Sequence, residues 1–274
     1  MSFYIYNETK MYYETVGEGT PFLIVHGWAI DHRFTKNMME PVFKSLHGSS
    51  FKRIYIDLPG MGVSLPGKIT NGDGILEVLD SFMEENFPGE KFYIGGNSFG
   101  AGISRAYTAM HPEKVLGLML IVPSTGKLGK LPASGVAEKD VDFLKTLSNK
   151  DRAAFSCMNA ILTETNWRKY KEEVLPSVLI NEDNEFLHKK FHGVFGFDID
   201  AAFRKKPYPG PVLIVCGKYD TAVGYEDQQN WLNLYPCATY HVIDKAGHNI
   251  FVDRPDEFDM IVSDWISQLP SLKA

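Results

Sequence analysis

The stretch YIGGNSFGAGIS, residues 93–104, places a single hydroxyl, Ser98, between Gly96 and Gly100, where an apolar run gives way to small residues. Gly96, Asn97, Ser98, Phe99 and Gly100 fit the pattern G-x-S-x-G at every defined place. In that pattern the serine occupies a strained strand-to-helix turn, and a Cβ two residues to either side collides with neighbouring backbone. A serine hydroxyl is a weak nucleophile until a base takes its proton, and the base must be held in one tautomer by an acid. The chain therefore has to supply a histidine and a carboxylate. The run IDKAGHNIF puts His248 in a loop beyond one apolar strand pattern, and IVCGKYD puts Asp220 beyond the preceding one. The remaining histidines, His26, His32, His47, His111, His188, His192 and His241, read as structural. Asp244, Asp198 and Asp200 are the rivals of Asp220 as the acid. His188 and His192 have the spacing of a metal-binding helix face, but no H-E-x-x-H pattern and no third ligand accompany them. Neither a metal nor a cofactor is expected.

Attack of Ser98 on a carbonyl forms an oxyanion that needs donors already in place. Phe99 offers the N–H after the nucleophile, at the positive end of a following helix. The second donor is expected from VHGWAID, where Gly27 lets the chain turn and Trp28 presents its N–H. The Gly/Pro-rich run IDLPGMGVS reads as scaffold at the same edge, and Ala101 and Gly102 are expected to let the helix begin close to the sheet.

These loops must be positioned by strands. Strand-like runs fall at 3–6, 11–16, 21–26, 53–58, 91–96, 115–122, 211–216 and 238–244, with helix patterns near 36–47, 73–86, 99–110, 225–234 and 254–268. Alternation of the two predicts an α/β fold: a mostly parallel eight-stranded sheet flanked by helices, with an antiparallel hairpin at one edge. The unbroken runs FLIV and VLIV are what doubly buried strands look like. All carboxyl ends of a parallel sheet share one edge, so Ser98, Asp220 and His248 are expected to converge there, in the chain order Ser, Asp, His.

The alternation breaks between about 125 and 207, which is bounded by PSTGKLGKLPASG and KKPYPGP and reads as helices near 138–149, 151–163, 167–180 and 183–194. We read it as a helical cap after strand 6, dividing the chain into core (1–124), cap (125–207) and core (208–274). Its apolar residues Phe155, Met158, Ile161, Leu162, Trp167, Phe195 and Phe197 are enough to close a pocket, and Asn249 beside His248 joins the candidate substrate contacts.

Composition excludes other classes. A 274-residue chain with 44% apolar residues is ample for a packed core, and a net charge of -6 gives no basic field for nucleic acid or an anionic membrane surface. No apolar run approaches the ~18 residues of a membrane span. Three cysteines without paired spacing suit a reducing compartment, so the expected address is the cytoplasm. The expected partner is a small-molecule ester or lactone, and the sequence leaves room for a homodimer.

With FLIVHGW, IDLPGMGVS, GNSFGAG, HPEKVLGLMLI, VLIVCGKYD and KAGHNIFVDRPDEF in this order, nearly the whole chain resembles the α/β-hydrolase fold superfamily, of the cap-bearing esterase, lactonase and perhydrolase type. The resemblance implies a serine hydrolase with Ser98 as nucleophile, His248 as base, Asp220 as acid, and the Trp28 and Phe99 N–H groups as oxyanion hole. Dehalogenases and epoxide hydrolases of this fold carry an Asp where this chain has Ser98, and prolyl iminopeptidases carry HGGPG where it has HGWAI. GNS is similar to hydrolases that cleave carbon–carbon bonds in meta-cleavage products, although those follow the histidine with Trp and this chain has Asn249. Two alternatives to an esterase therefore stand: that carbon–carbon hydrolase, and a hydrolase-fold receptor or stress regulator with slow turnover.

Overall fold

The computed structural model describes residues 2–46, 50–125 and 130–270, so His47 and part of the glycine-rich segment after residue 125 lie outside the described residues. The sheet contains β1 (Ser2–Tyr6), β2 (Thr9–Val16), β3 (Thr20–Val25), β4 (Phe51–Ile56), β5 (Phe92–Asn97), β6 (Val115–Ile121), β9 (Val212–Gly217) and β10 (Ala238–Ile243), in the order β1-β2-β4-β3-β5-β6-β9-β10. Only the pairs β1–β2 and β2–β4 are antiparallel. The edge hairpin and the parallel body match the expectation from sequence.

Every residue of β3, β5 and β9 is buried, which explains the unbroken apolar runs. The pleat sends alternate side chains to opposite faces. Leu23, Val25, Ile94, Leu118 and Ile214 join one core layer, against α2 (Gly72–Asn86) and α3 (Phe99–Met110). Phe22, Ile24, Tyr93, Met119 and Leu213 join the other, against α1 (His32–Ser45) and α11 (Pro255–Ser267). Each such side chain removed from water contributes about 1.5–3 kcal/mol. The helix predicted over 225–234 is a 3-10 helix, Asp227–Asn233.

Between β6 and β9 the chain forms the helical cap: α4 (Val141–Thr146), α5 (Asn149–Met158), α6 (Glu164–Glu173), α7 (Leu175–Leu179), α8 (Glu185–Lys189) and α9 (Ile199–Lys205). Two short strands, β7 (Glu138–Lys139) and β8 (Ile161–Leu162), pair in parallel. The helix predicted over 167–180 breaks at Val174, and Pro176 stands in the first turn of α7, where its missing N–H costs nothing. The helix predicted over 183–194 stops at Lys189, so His188 and His192 share no helix face and the apparent metal spacing has no structural basis. Among the described residues, no helix is long and apolar enough to cross a membrane.

Candidate active site

Strand order reverses around β3, with β4 on one side and β5 on the other, and such a switch point opens a crevice at the carboxyl ends of the strands. Ser98 follows β5 there, with φ 54° and ψ −117°, a conformation that side chains rarely adopt. Its N–H donates to Ile121 O (2.9 Å), and its carbonyl accepts from Gly102 N and Ser124 N, both at 3.2 Å. The flanking glycines explain the tightness of the turn. A Cβ on Gly96 would lie 2.5 Å from Val25 O, and one on Gly100 2.2 Å from Val25 O and 2.4 Å from His26 O. Gly102 differs from the expectation: an added Cβ there meets nothing within 4 Å, because it faces a cavity rather than the sheet.

Asp220 lies in the turn after β9 and is fully buried. Its Oδ1 accepts from Ala222 N (2.8 Å) and Val223 N (3.1 Å), which leaves Oδ2 for His248 Nδ1 at 2.7 Å. An ionised carboxylate only accepts, so this contact assigns the proton to Nδ1 and leaves Nε2 with a lone pair. The two loops are packed together: Tyr219 N donates to Ala246 O at 2.8 Å, and a Cβ on Gly217 would lie 2.3 Å from Gly247 O. No hydrogen bond joins Ser98 Oγ to His248 among the described residues; such bonds often tighten only when substrate binds. The rival acids are engaged elsewhere. Asp244 pairs with Lys218 (3.2 Å), Asp200 with Arg105 (2.5 Å), and Asp198 caps α9.

The loop after β3 abuts the nucleophile: a Cβ on Gly27 would come within 3.3 Å of Ser98 Cβ. Trp28 is 39% exposed, with its ring edge-on to Phe99 (5.4 Å) and tilted against Phe191 of the cap (5.3 Å). His26 is structural. It is fully buried, its Nδ1 donates to Gly27 O (2.7 Å), and its Nε2 accepts from Leu58 N (2.9 Å). Burial pushes its pKa down. His32 also reads as structural, since its N–H and Nδ1 both reach Asp57 Oδ1, at 2.8 and 2.7 Å. Burial alone raises the pKa of Asp57, but the hydrogen bonds it accepts, from His32 and from Val63 N–H, outweigh it and lower the net value.

A cavity of about 980 Å³ opens beside the turn, bounded by Phe99 and Ser124 on the sheet side and by cap residues 193–200. Phe195 and Phe197 line it. Phe155 does not: it is fully buried against Trp167 and Tyr170, ring centroids 5.4 Å away in each case, in the interior of the cap. Met158 is half-exposed and passes its carbonyl to Asn249 N (3.0 Å), so Asn249 is occupied with the cap backbone. The cavity is more polar than the aromatic content of the cap suggests. Arg105, Asp200, Arg204, Asp227, Asn230 and Asn233 also line it. Arg105 is 3% exposed, donates to Tyr235 Oη (2.8 Å) and Asp200, and lies 3.5 Å from the centroid of Trp231. Sequence reasoning missed it; the only signal was one cation in the small-residue helix GAGISRAYTAM. Asn97 is buried beside Ser98 with an Oδ1 that has no hydrogen-bond partner among the described residues.

Residues 20–255 match the family model described as alpha/beta hydrolase fold. The chain is similar to the 2-hydroxy-6-oxo-6-(2'-aminophenyl)hexa-2,4-dienoic acid hydrolase of Metapseudomonas resinovorans, at 23% identity over 90% of this chain and 83% of that one. It is also similar to the pimeloyl-[acyl-carrier protein] methyl ester esterase of Serratia marcescens, at 23% identity over 94% of this chain and 99% of that one. Among solved structures, an alpha/beta superfamily hydrolase from Oenococcus oeni PSU-1 superposes with a TM-score of 0.84 at 25% identity, covering 98% of this chain and 99% of that one. The chain belongs to the α/β-hydrolase fold family.

Proposed function

We propose that this hydrolase is a serine enzyme that cleaves a small or medium carboxylic ester or lactone through an acyl-enzyme. The observation that carries the reading is the pairing of a strained Ser98, at φ 54°, with a His248–Asp220 contact of 2.7 Å at the same edge of the sheet. His248 Nε2 takes the Ser98 proton as Oγ bonds to the carbonyl carbon, and the carbonyl electron pair moves onto oxygen. The Trp28 and Phe99 N–H groups hold that oxyanion, each worth a factor of about 10²–10³ in turnover. Collapse of the intermediate expels the alkoxide, which leaves with the proton from His248. Water, deprotonated by the same histidine, then releases the acid. Asp220 holds the imidazole in the tautomer that makes both transfers possible.

The esterase named among the relatives supports the ester bond. A second reading rests on the hydrolase from Metapseudomonas: carbon–carbon hydrolysis of a 2-hydroxy-6-oxo-dienoate, for which the Asn97 before Ser98 is the supporting residue. Comparing kcat/KM for p-nitrophenyl esters of graded acyl length with that for a 2-hydroxy-6-oxo-dienoate separates the two. Ser98→Ala is expected to lose about 10⁶ in kcat on the better substrate. Retention within about tenfold, roughly 1.4 kcal/mol of barrier, contradicts the assignment.

A further inference from the structure

We infer that Asp253 is a positioning residue, a buried carboxylate that clamps cap residues 158–161 onto the loop that carries His248 and so fixes where the imidazole stands. The inference rests on the serine-hydrolase reading above.

Asp253 ends the short helix α10 (Ile250–Asp253) and is 4% exposed. Its Oδ2 accepts from Gly247 N and Ala160 N, both at 2.8 Å, and its Oδ1 from Ile161 N (3.2 Å) and Asn159 Nδ2 (3.3 Å). One donor belongs to the histidine loop and three to the cap. Among the described residues no cation pairs with it, so four N–H groups are the whole of its compensation, and burial pushes its pKa up to about 6 against their pull.

The surrounding contacts give the clamp direction. His248 is bracketed by Gly247, held by Asp253, and by Asn249, whose N–H donates to Met158 O (3.0 Å) and whose Nδ2 donates to Asn159 Oδ1 (3.0 Å). The fit at Gly247 is close, because a Cβ there would lie 2.8 Å from Met158 O. On the cap side, Ala160 O accepts from Ala137 N (2.9 Å) and Glu138 N (3.2 Å), which ties the segment to β7. Asp220 fixes the imidazole from one ring nitrogen, and Asp253 fixes the backbone that carries it. An aliphatic or amide side chain cannot replace a group that only accepts. Asn at this site turns an N–H toward converging N–H donors.

The test uses the full chain and three readouts: kcat and KM on a short-chain p-nitrophenyl ester, the rate of Ser98 labelling by a fluorophosphonate, and the melting temperature. In Asp253→Asn, assayed below its melting transition, kcat and the labelling rate are expected to fall together by about 10²-fold, as for a small misplacement of a catalytic group, with KM little changed. Asp253→Glu, which keeps the acceptors, is expected to recover part of both. Labelling needs the Ser98–His248 pair and not a grip on a substrate tail, so a purely structural role lowers the melting temperature and leaves the labelling rate of folded protein intact. Unchanged kcat and labelling in folded Asp253→Asn overturns the inference, as does a rise in KM alone. Should Asp253→Asn not fold, Asn159→Ala removes one donor from the cap side, and its labelling rate is expected to fall several-fold; an unchanged rate overturns the inference. Failure of the serine-hydrolase reading looks different, because wild type itself then escapes labelling at Ser98.

Discussion

Replacing Asp220 by Asn removes one charge and keeps the shape, and the hydrogen bonds around the carboxyl dictate how the new amide sits. Oδ1 is held by Ala222 N and Val223 N, which can only donate, so the Asn carbonyl oxygen must stay on that side. The Asn NH₂ then points at His248 Nδ1, which lies 2.7 Å from Oδ2 in the native chain, and that nitrogen can make the contact only as an acceptor. The imidazole proton moves to Nε2. His248 then presents an N–H to Ser98 where a lone pair is needed, and proton abstraction is lost while the fold is kept. The corresponding change in a serine protease triad lowers kcat by about 10⁴, which is roughly 5 kcal/mol of barrier. The assay is kcat on a p-nitrophenyl ester for wild type and Asp220→Asn, with a urea titration to show that stability changes little. Turnover within about tenfold of wild type, in a protein that unfolds like wild type, refutes the tautomer argument.

The same geometry sets other outcomes. Gly100→Ala forces a Cβ to 2.2 Å from Val25 O, a backbone atom that cannot step aside, so a loss of about 3 kcal/mol is expected in denaturant unfolding, and a stability equal to wild type contradicts the packing. His26 is buried neutral with its pKa pushed down, so below its unfolded pKa of about 6.5 the unfolded chain takes up a proton that the folded chain refuses. Its stabilising share is complete above that pH and is lost as pH falls, at about 1.4 kcal/mol per pH unit until the folded histidine itself protonates. Unfolding free energies of wild type and His26→Gln should therefore diverge as pH falls from 7 to about 5, with wild type losing more stability; parallel curves count against it.

The sheet was legible because burial on both faces leaves a mark that survives in one dimension: FLIV and VLIVCG are apolar at every step. The loops of the candidate site were legible for a related reason, since parallel strands end on one edge and the chain order of Ser98, Asp220 and His248 needs no further information. The cap was read less well. Its breaks at Val174 and Lys189 and the pairing of Glu138 with Ile161 depend on what lies against them, and helical periodicity carries no record of that. Asp253 and Arg105 were invisible for the same reason. A lone acid before Arg-Pro, or a lone cation among small residues, reads as surface until three cap donors are found converging on the one and Trp231 against the other.

The central claim is that Ser98 is the nucleophile, and covalent capture addresses it directly. The purified chain is treated with a fluorophosphonate, digested, and the modified residue identified by mass spectrometry, with residual ester hydrolysis followed in parallel. The account predicts a phosphonyl group on Ser98 and loss of hydrolysis in proportion to labelling. A label on another residue, or full hydrolytic activity in protein labelled at Ser98, contradicts it.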